Sequence, residues 1–395
     1  MNKSYKVTFN RARGCMMVVN ELTSSVQKKS KVTVVSVAVL VALSSSAYAT
    51  SIVDESTQFK TNTIIEVSDE TSVEGNNRHQ GIGTTNGTMK ITVAPGATLT
   101  VKGSTENKNW TRVYGVNTKT GSKLDVVGNL DLNLTAVAGT QARGVRSYGN
   151  TTITGNLTGT VAGNDDATTG VEVWDGAHLQ IKGADSNLKV ITEGGRAIGV
   201  NNHAASGIPA GTVDFNGVTL TVQNNKVESS ATTEGVLSYL STTNFNGITS
   251  IDVTGAKGNT YGVQVECDPG LEKDTWVRFN GAETTIKVKG SGLEVFGLQS
   301  SGATGHIALN SANSTIIVNS TNGRAVGLNA QYGGEITTNG LTLNVTSETG
   351  KAYGILTESY GGDDNKQMGI VTVNGATDIT VKGASVNYPH FVRQF

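Results

Sequence analysis

Apolar and polar residues alternate in short segments that recur along the chain after residue 50. The segments Leu130–Leu134 (LDLNL) and Leu220–Val222 (LTV) show this alternation, and no part of the body has a helical period. Alternation with a period of two predicts strands that have one buried and one wet face. Comparable segments occur at Thr219–Val222, Ser250–Val253, Thr285–Val288, Thr315–Val318, Thr342–Val345 and Asp378–Val381.

A second pattern is a glycine that is followed by Val, Leu or Ile and mostly preceded by an apolar residue. It recurs at intervals of 26 to 36 residues, at Gly115, Gly144, Gly170, Gly199, Gly235, Gly262, Gly297, Gly327 and Gly354. In five copies a strand valine stands nine residues before the glycine, as in Val190 and Gly199 or Val253 and Gly262. A fixed register combined with loops of variable length predicts a stack of similar units.

Each unit holds about three short strands in roughly 30 residues and cannot bury its apolar face alone, whereas a stack forms one continuous core. The sequence therefore predicts an all-β fold, a right-handed parallel β-helix (solenoid) of about nine or ten coils over residues 50–386. Asn-Gly pairs such as Asn216-Gly217 predict corners with left-handed backbone. The alternative is two hairpin-rich β-sandwich domains, but hairpins do not explain the nine-residue register.

The N-terminal segment predicts export. Lys28, Lys29 and Lys31 precede an apolar run over Val32–Leu43, and Ala47 and Ala49 form a small-x-small cleavage site. This run is shorter than the roughly 20 residues that a membrane-spanning helix needs. Residues 31–49 are therefore predicted to be the hydrophobic core and cleavage site of a Sec signal peptide, cut after Ala49. No later apolar run predicts a transmembrane helix.

Residues 1–30 are too long for an ordinary signal n-region. Their pattern resembles the extended signal peptide region of type V secreted proteins of Gram-negative bacteria, at Asn2, Lys3, Tyr5, Lys6, Asn10, Arg13, Gly14 and Glu21. The resemblance implies export by the Sec machinery and then an outer-membrane assembly and translocation apparatus. It also implies a location at the cell surface, in the outer membrane or outside the cell.

The repeats of the body are similar in style to the β-helical passengers of autotransporters. Two-partner exoproteins and trimeric adhesins fit less well, since the chain has neither Asn-Pro-Asn motifs nor heptads. The last strand predicts a motif glycine at position 390, where His390 stands, and the tail 387–395 breaks the pattern. The resemblance implies a C-terminal barrel, so we expect a passenger that is truncated before it, and a periplasmic location if the barrel is truly absent.

Composition narrows the function classes. The chain is 16% charged, with 49 Gly and 4 Pro. Its basic residues cluster before residue 50, which leaves a mildly acidic body with no footprint for nucleic acid and no polybasic membrane patch. Cys267 is the single cysteine after the signal segment, so no intramolecular disulfide is expected there. We expect an incidental buried or loop residue, with a reactive thiol as the alternative.

Catalytic signals are weak, and we predict no enzyme, no metal and no cofactor. The histidines lack metal-ligand spacing, at His79, His178, His203, His306 and His390. The acid pairs Asp165-Asp166 and Asp363-Asp364 lie in Gly- and Asn-rich segments that predict solvated turns. Adjacent residues on a strand point to opposite faces, so neither pair makes an acid/base dyad.

Binding is the function that the pattern favours. Candidate contact loops are residues 107–112 with Trp110, 148–150, 173–176 with Trp174, and 266–276, although each tryptophan is also expected to pack a coil corner. We therefore predict an exported surface module, an adhesin or another surface-interaction passenger, whose ligand the sequence does not name. The alternatives are a carbohydrate-active β-helix enzyme (lyase or hydrolase) and a non-functional gene fragment.

Overall fold

The computed structural model describes residues 5–10, 15–20, 47–67, 78–105, 111–268, 273–359 and 367–384. The chain divides into two units, Met1–Val37 and Ala38–Phe395. In the first unit, β1 (Tyr5–Asn10) and β2 (Cys15–Asn20) pair in antiparallel fashion, with Tyr5 opposite Asn20 and Asn10 opposite Cys15.

The second unit is a parallel β-solenoid of about ten coils built from two sheets. One sheet has eleven strands among the described residues: β4 (Ile52–Val53), β7 (Arg78–Thr84), β10 (Arg112–Thr118), β13 (Gln141–Ser147), β16 (Thr168–Trp174), β19 (Ala197–His203), β22 (Thr233–Tyr239), β25 (Thr260–Glu266), β28 (Glu294–Ser301), β31 (Arg324–Gln331) and β33 (Ala352–Glu358). We call it the front sheet.

The back sheet supplies the other two strands of each coil and has twenty-one strands in the described part of the chain. These strands are β3 (Ala47–Thr50), β5 (Thr57–Phe59), β6 (Thr63–Glu66), β8 (Thr88–Val93), β9 (Thr98–Ser104), β11 (Lys123–Val127), β12 (Asn129–Thr135), β14 (Asn150–Ile153), β15 (Leu157–Gly163), β17 (His178–Ile181), β18 (Ser186–Thr192), β20 (Thr212–Phe215), β21 (Val218–Asn224), β23 (Thr242–Phe245), β24 (Thr249–Thr254), β26 (Thr275–Phe279), β27 (Glu283–Gly290), β29 (Gly305–Leu309), β30 (Asn313–Ser320), β32 (Glu335–Ser347) and β34 (Ile370–Lys382). Within residues 47–384, every pairing that the structure describes is parallel, so the β-sandwich alternative is wrong.

The predicted stacking of strand valines is confirmed. Val253 pairs with Val288, which in turn pairs with Val318, and the same column continues to Val345 and back to Val222. All of them are at most 1% exposed. Inward side chains of successive coils therefore form one continuous aliphatic core.

The motif glycines form a second column, on the front sheet, and the reason for glycine there is space. A Cβ added to Gly262 would lie 2.8 Å from the Cγ2 atoms of Ile286 and Val288 and 2.5 Å from the carbonyl oxygen of Gly297. The column also includes Gly81, which precedes Ile82 but was not among the predicted motif glycines. Glycine thus lets the front sheet approach the back sheet closely.

The prediction of left-handed Asn-Gly corners is right at Gly340 (φ 83°) and Gly375 (φ 74°) and wrong at Gly217, Gly247 and Gly281. In those three the backbone is not left-handed. Instead, each corner stacks tightly on the corner of the preceding coil, and a Cβ on Gly281 would overlap the carbonyl oxygen of Gly247. Close approach of backbones therefore selects glycine at these corners.

The residues before these corners also stack. The rings of Phe215 and Phe245 lie 5.4 Å apart between centroids, and those of Phe245 and Phe279 lie 4.8 Å apart. All three are buried, so the phenylalanines form an internal ladder along the core. The part of the chain that the structure describes contains no helix long and apolar enough to cross a membrane.

Candidate binding face

The front sheet has an unusual outer surface because each strand bends at its motif glycine. The glycine and the residue after it both face the core, as at Gly115 and Val116. Outward side chains on the two sides of this bend contact each other; for example, Asn117 Nδ2 donates to Gln80 Oε1 at 2.7 Å. We call these two outward columns the outer seam: Gln80, Tyr114, Arg143, Thr169, Ile198, Glu234, Tyr261, Phe296, Val326 and Tyr353, with Asn117, Arg146, Glu172, Asn201, Leu237, Gln264, Gln299, Asn329 and Leu356.

The outer seam contains a buried carboxylate held by two guanidinium groups. Glu172 has 2% of its side chain exposed and forms ion pairs with Arg143 and with Arg146, whose Nε lies 3.1 Å from Glu172 Oε2. Arg143 Nη2 also donates to Gln141 Oε1 at 2.9 Å. A buried charge needs such partners, and the two arginines supply them to Glu172 within the fold.

Further along the outer seam, Arg196 donates to both oxygens of Glu234, at 2.9 and 2.7 Å. Burial raises the pKa of Glu234, and the bonds from Arg196 only partly oppose this. Burial also raises the pKa of Glu266 on the next strand, and the charge of Glu234 adds to the effect. These two carboxyl groups make this part of the front sheet sensitive to pH.

The last coils have an apolar seam. Tyr261, Phe296 and Val326 form a cluster separate from the main core, and Tyr353 and Leu356 pack against it. The rings of Tyr261 and Phe296 stack with centroids 5.2 Å apart. The outer seam therefore acts as a thin second core along the outside of the front sheet, and its buried side chains leave little surface for a ligand.

A third outward column, four residues after each motif glycine, carries aromatic rings in four consecutive coils. Trp174, His203 and Tyr239 occupy it on β16, β19 and β22, Tyr148 occupies it directly after β13, and all four are half-buried. Their ring centroids are separated by 6.1, 4.3 and 4.8 Å along the stack. We call these four residues the aromatic ladder.

The same column carries polar side chains in the other coils. The equivalent positions hold Thr85, Lys119, Glu266, Ser301, Gln331 and Glu358. The solenoid therefore folds without aromatic rings at this position, and the aromatic ladder is not a requirement of the stack.

The ends of the aromatic ladder have different charges. At one end, the guanidinium carbon of Arg146 lies 4.4 Å from the ring centroid of Tyr148, and its Nη2 donates to the Tyr148 hydroxyl oxygen at 2.7 Å. At the other end, the Tyr239 hydroxyl donates to Asp268, which raises the pKa of Tyr239 to about 12. Burial lowers the pKa of His203, which favours the neutral imidazole.

Two loops flank the aromatic ladder at the corner that follows it. Residues 204–211 form a longer connection than residues 175–177 or 240–241 at the same corner. The described residues 267–268 and 273–274 lie between β25 and β26 at this corner, and Lys273 Nζ donates to the carbonyl oxygen of Ile208 at 2.5 Å. Asp175 Oδ1 accepts from the Ala205 N–H at 3.2 Å.

The back sheet carries a smaller aromatic patch. The rings of Trp276 and His306 stack with centroids 4.2 Å apart, and the Arg278 guanidinium carbon lies 4.1 Å from the Trp276 ring centroid. His306 Nδ1 lies 3.1 Å from Glu335 Oε2, and its Nε2 lies 3.6 Å from Asp274 Oδ1. This patch is a second stacked aromatic pair in the same protein, on the other sheet, with which the aromatic ladder can be compared.

The structure does not bring the predicted chemical residues together. His79 is buried, His178 lies 3.6 Å from Asp214, and His203 and His306 belong to different faces. No group of three or more metal-binding side chains exists within the described ranges. Asp166 Oδ1 accepts from Gln141 Nε2 at 3.2 Å.

Other predicted positions fall into two groups. Cys267 is buried, its Sγ lies 2.9 Å from Thr275 Oγ1, and burial raises the pKa of its thiol, as expected for an incidental buried cysteine. Several residues that the sequence singled out lie outside the described residues: Trp110, Asp363, Asp364, His390 and the tail 387–395.

Sequence reasoning missed the aromatic ladder as a unit. Tyr148 and Trp174 were placed in separate contact loops, and neither His203 nor Tyr239 was assigned a role in binding. A signal was present, because all four stand four residues after a motif glycine, at Gly144, Gly170, Gly199 and Gly235. Aligning the repeats on that glycine would have grouped them.

The signal residues lie partly within the described ranges. Ala47 and Ala49 belong to β3, and Tyr5, Lys6 and Asn10 belong to β1. The remaining motif residues lie outside the described part of the chain: Asn2, Lys3, Arg13, Gly14 and Glu21.

Comparison with known families decides the export route. Residues 1–50 match the family described as Extended Signal Peptide of Type V secretion system. The chain carries the type V extended signal peptide. It is therefore exported, in a Sec-dependent manner, by the type V route of Gram-negative bacteria, as the sequence predicted. No curated protein and no solved structure matches the chain.

Proposed function

We propose that the β-solenoid is a passenger presented at the cell surface, where it acts as an adhesin or another surface-interaction module. The observation that carries the proposal is the aromatic ladder, which stands on the outside of a protein exported by the type V route although the fold does not require it. Aromatic side chains exposed together on a surface mark contact sites.

The proposed mechanism is non-covalent binding, without a catalysed reaction. A solenoid holds outward side chains at a spacing of about 4.8 Å from coil to coil. Each contact is weak, but many contacts on one stiff scaffold add up, provided that the partner engages them simultaneously. Passage through the outer membrane by an assembly and translocation apparatus is part of this proposal.

Surface location and adhesion are tested together. Intact producing cells are treated with an external protease, and their attachment to host-cell monolayers is compared with that of cells lacking the gene. We expect the solenoid to be cleaved on intact cells and attachment to fall when the gene is removed. A protein protected from protease in intact cells, or unchanged attachment, would contradict the proposal.

The proposal includes no catalysis. The most buried carboxylates of the outer seam, Glu172 and Glu234, are each held in an ion pair by arginine. The exported protein is incubated with a panel of neutral and acidic polysaccharides, and new reducing ends or unsaturated sugars are measured. We expect none, and reproducible turnover would favour the carbohydrate-active alternative.

Processing after Ala49 is also proposed. N-terminal sequencing of the exported protein is expected to begin at Thr50. Replacement of Ala49 by Lys, which is too large for a small-x-small site, is expected to leave the precursor uncut. A different first residue would place the cleavage site elsewhere.

A further inference from the structure

We propose that the aromatic ladder, together with the acidic corner beside Tyr239, binds a protein surface that presents basic and aromatic side chains. The acidic corner consists of Glu266 and Asp268, next to Tyr239, and of Asp175, which follows Trp174 two coils away along the same edge. This inference rests on the proposed surface function and adds the site and the class of partner.

The location of the long loops supports a built site. The intervals Gly199–Gly235 and Gly262–Gly297 span 36 and 35 residues, against 26 to 30 for the other intervals after Gly115. The first interval includes the connection 204–211 at the corner that follows the aromatic ladder, and Lys273, in the second interval, donates to the Ile208 carbonyl oxygen of that connection. Ring positions and long loops thus coincide at one edge of the front sheet.

The way the rings stack argues against a sugar as the partner. A pyranose needs an open aromatic face, but Trp174 and His203 each have a neighbouring ring on both sides, at centroid distances of 6.1, 4.3 and 4.8 Å. The outer two pairs are stacked, and the rings of Trp174 and His203 are tilted by 45° to each other. The ring edges remain, and these carry the positive part of the ring quadrupole. Such edges pair well with the faces of a partner's aromatic side chains.

Charge gives the second half of the recognition. Asp268 is exposed, and Glu266 keeps an exposed surface although its neighbours partly desolvate the carboxyl group. Neither of them, nor Asp175, forms an ion pair within the described residues. Lys273 is close enough to Asp175 to feel its charge, but it donates to a backbone carbonyl. Arg146 at the opposite end already bonds Glu172, Tyr114 and Tyr148. Three carboxyl groups against the single ammonium group of Lys273 give this corner an excess of negative charge, which favours Lys or Arg in the partner.

The test uses the exported protein, purified from producing cells, on two arrays. One carries immobilised dodecapeptides that vary in net charge and aromatic content, and the other carries neutral and acidic glycans. We expect binding to peptides that combine Lys or Arg with Trp, Tyr or Phe, and weaker binding in about 0.5 M salt, which shortens electrostatic range. Binding to glycans alone, or to no peptide, would overturn the inference.

The decisive variant is Trp174→Gln, because glutamine occupies the same column at Gln331 and so suits the fold. We expect a loss of at least about tenfold in peptide binding, as for a hot-spot tryptophan. The matched control is Trp276→Gln, which removes a half-buried, His-stacked tryptophan from the back sheet and is expected to leave binding unchanged. Equal losses in both variants would overturn the inference.

A second variant does not depend on packing. Glu266→Gln combined with Asp268→Asn changes two exposed side chains and is expected to remove the salt-sensitive part of binding. Unchanged salt dependence would overturn the charge argument. Adhesion of whole cells separates this inference from the proposed function: if cells with Trp174→Gln attach normally while cells lacking the gene do not, this site is wrong and the adhesion proposal stands.

Discussion

At the scale of single residues, the motif glycine fixes the distance between the sheets. The added Cβ at Gly262 would meet a backbone carbonyl and two β-branched side chains, none of which can swing away. The motif glycines are absent from the set of left-handed residues, so conformational freedom is not what selects them. Space is the constraint that repeats along the chain.

Gly262→Ala is therefore expected to destabilise the protein by about 1–3 kcal/mol, the usual cost of overfilling a packed core. The measurement is the midpoint of urea unfolding of the exported protein. The control is Gly87→Asn, at a corner with φ 85° and open space around the missing Cβ, where asparagine tolerates the left-handed backbone. Equal effects at both positions would contradict the close-approach argument.

A second residue-scale prediction concerns Glu234. Burial raises its pKa above the unfolded value near 4.5, so the folded state holds this proton more tightly. The resulting contribution to stability is complete below the unfolded pKa and is lost as pH rises through the folded pKa. In Glu234→Gln the side chain stays neutral, and we expect stability to fall less on going from about pH 4 to about pH 7.

The measurement is the melting temperature across this pH range, with the exposed Glu283→Gln as the control. The control is expected to keep the pH profile of the parent protein. An unchanged profile in Glu234→Gln would mean that Arg196 fully offsets the burial of the carboxylate.

At the scale of elements, stacked side chains make one strand depend on the next. Phe245 is the middle ring of the internal ladder and is wholly buried between Phe215 and Phe279. Asparagine side chains bond in the same way at the adjacent corner, where Asn310 Nδ2 donates to Asn280 Oδ1 at 2.9 Å. These ladders fix the register between coils.

Phe245→Ala is expected to cost about 3–5 kcal/mol, because it leaves a cavity and removes two ring contacts. Urea unfolding measures the loss. Val227→Ala, at an exposed side chain in a loop, is the control and is expected to change stability by less than about 0.5 kcal/mol. A loss at Phe245 as small as at Val227 would show that the ladder does not stabilise the stack.

At the scale of the whole molecule, each coil of the solenoid contacts mainly its two neighbours. The pairing runs from β22 to β25 and from β25 to β28, with no shortcut between distant coils in the described residues. Such arrays behave approximately as chains of nearest-neighbour couplings. A local defect should therefore remain local.

Hydrogen exchange tests this. In Gly262→Ala we expect faster exchange in β22, β25 and β28 and unchanged exchange in β7 and β10, four or more coils away. If all peptides of the solenoid instead exchanged faster, at one common rate, the solenoid would unfold as a single cooperative unit. The parent protein provides the reference rate for every peptide.

The sequence by itself determined the export route and the parallel stack. The signal residues are recognised as a linear motif. The spacing from strand valine to motif glycine repeats because equivalent positions in successive coils contact each other. Val253, Val288 and Val318 could be placed in one column for this reason. Repetition turns a long-range contact into a pattern that is visible along the chain.

Only the tertiary structure decided what does not repeat. It showed that close stacking of corners in successive coils requires glycine at Gly217, Gly247 and Gly281. It also showed that four aromatic residues form one ladder: Tyr148, Trp174, His203 and Tyr239. These residues are 26 to 36 positions apart in sequence and meet because the coils stack at strand spacing. Proximity across coils, and the burial and charge that come with it, arises only when the chain is wound.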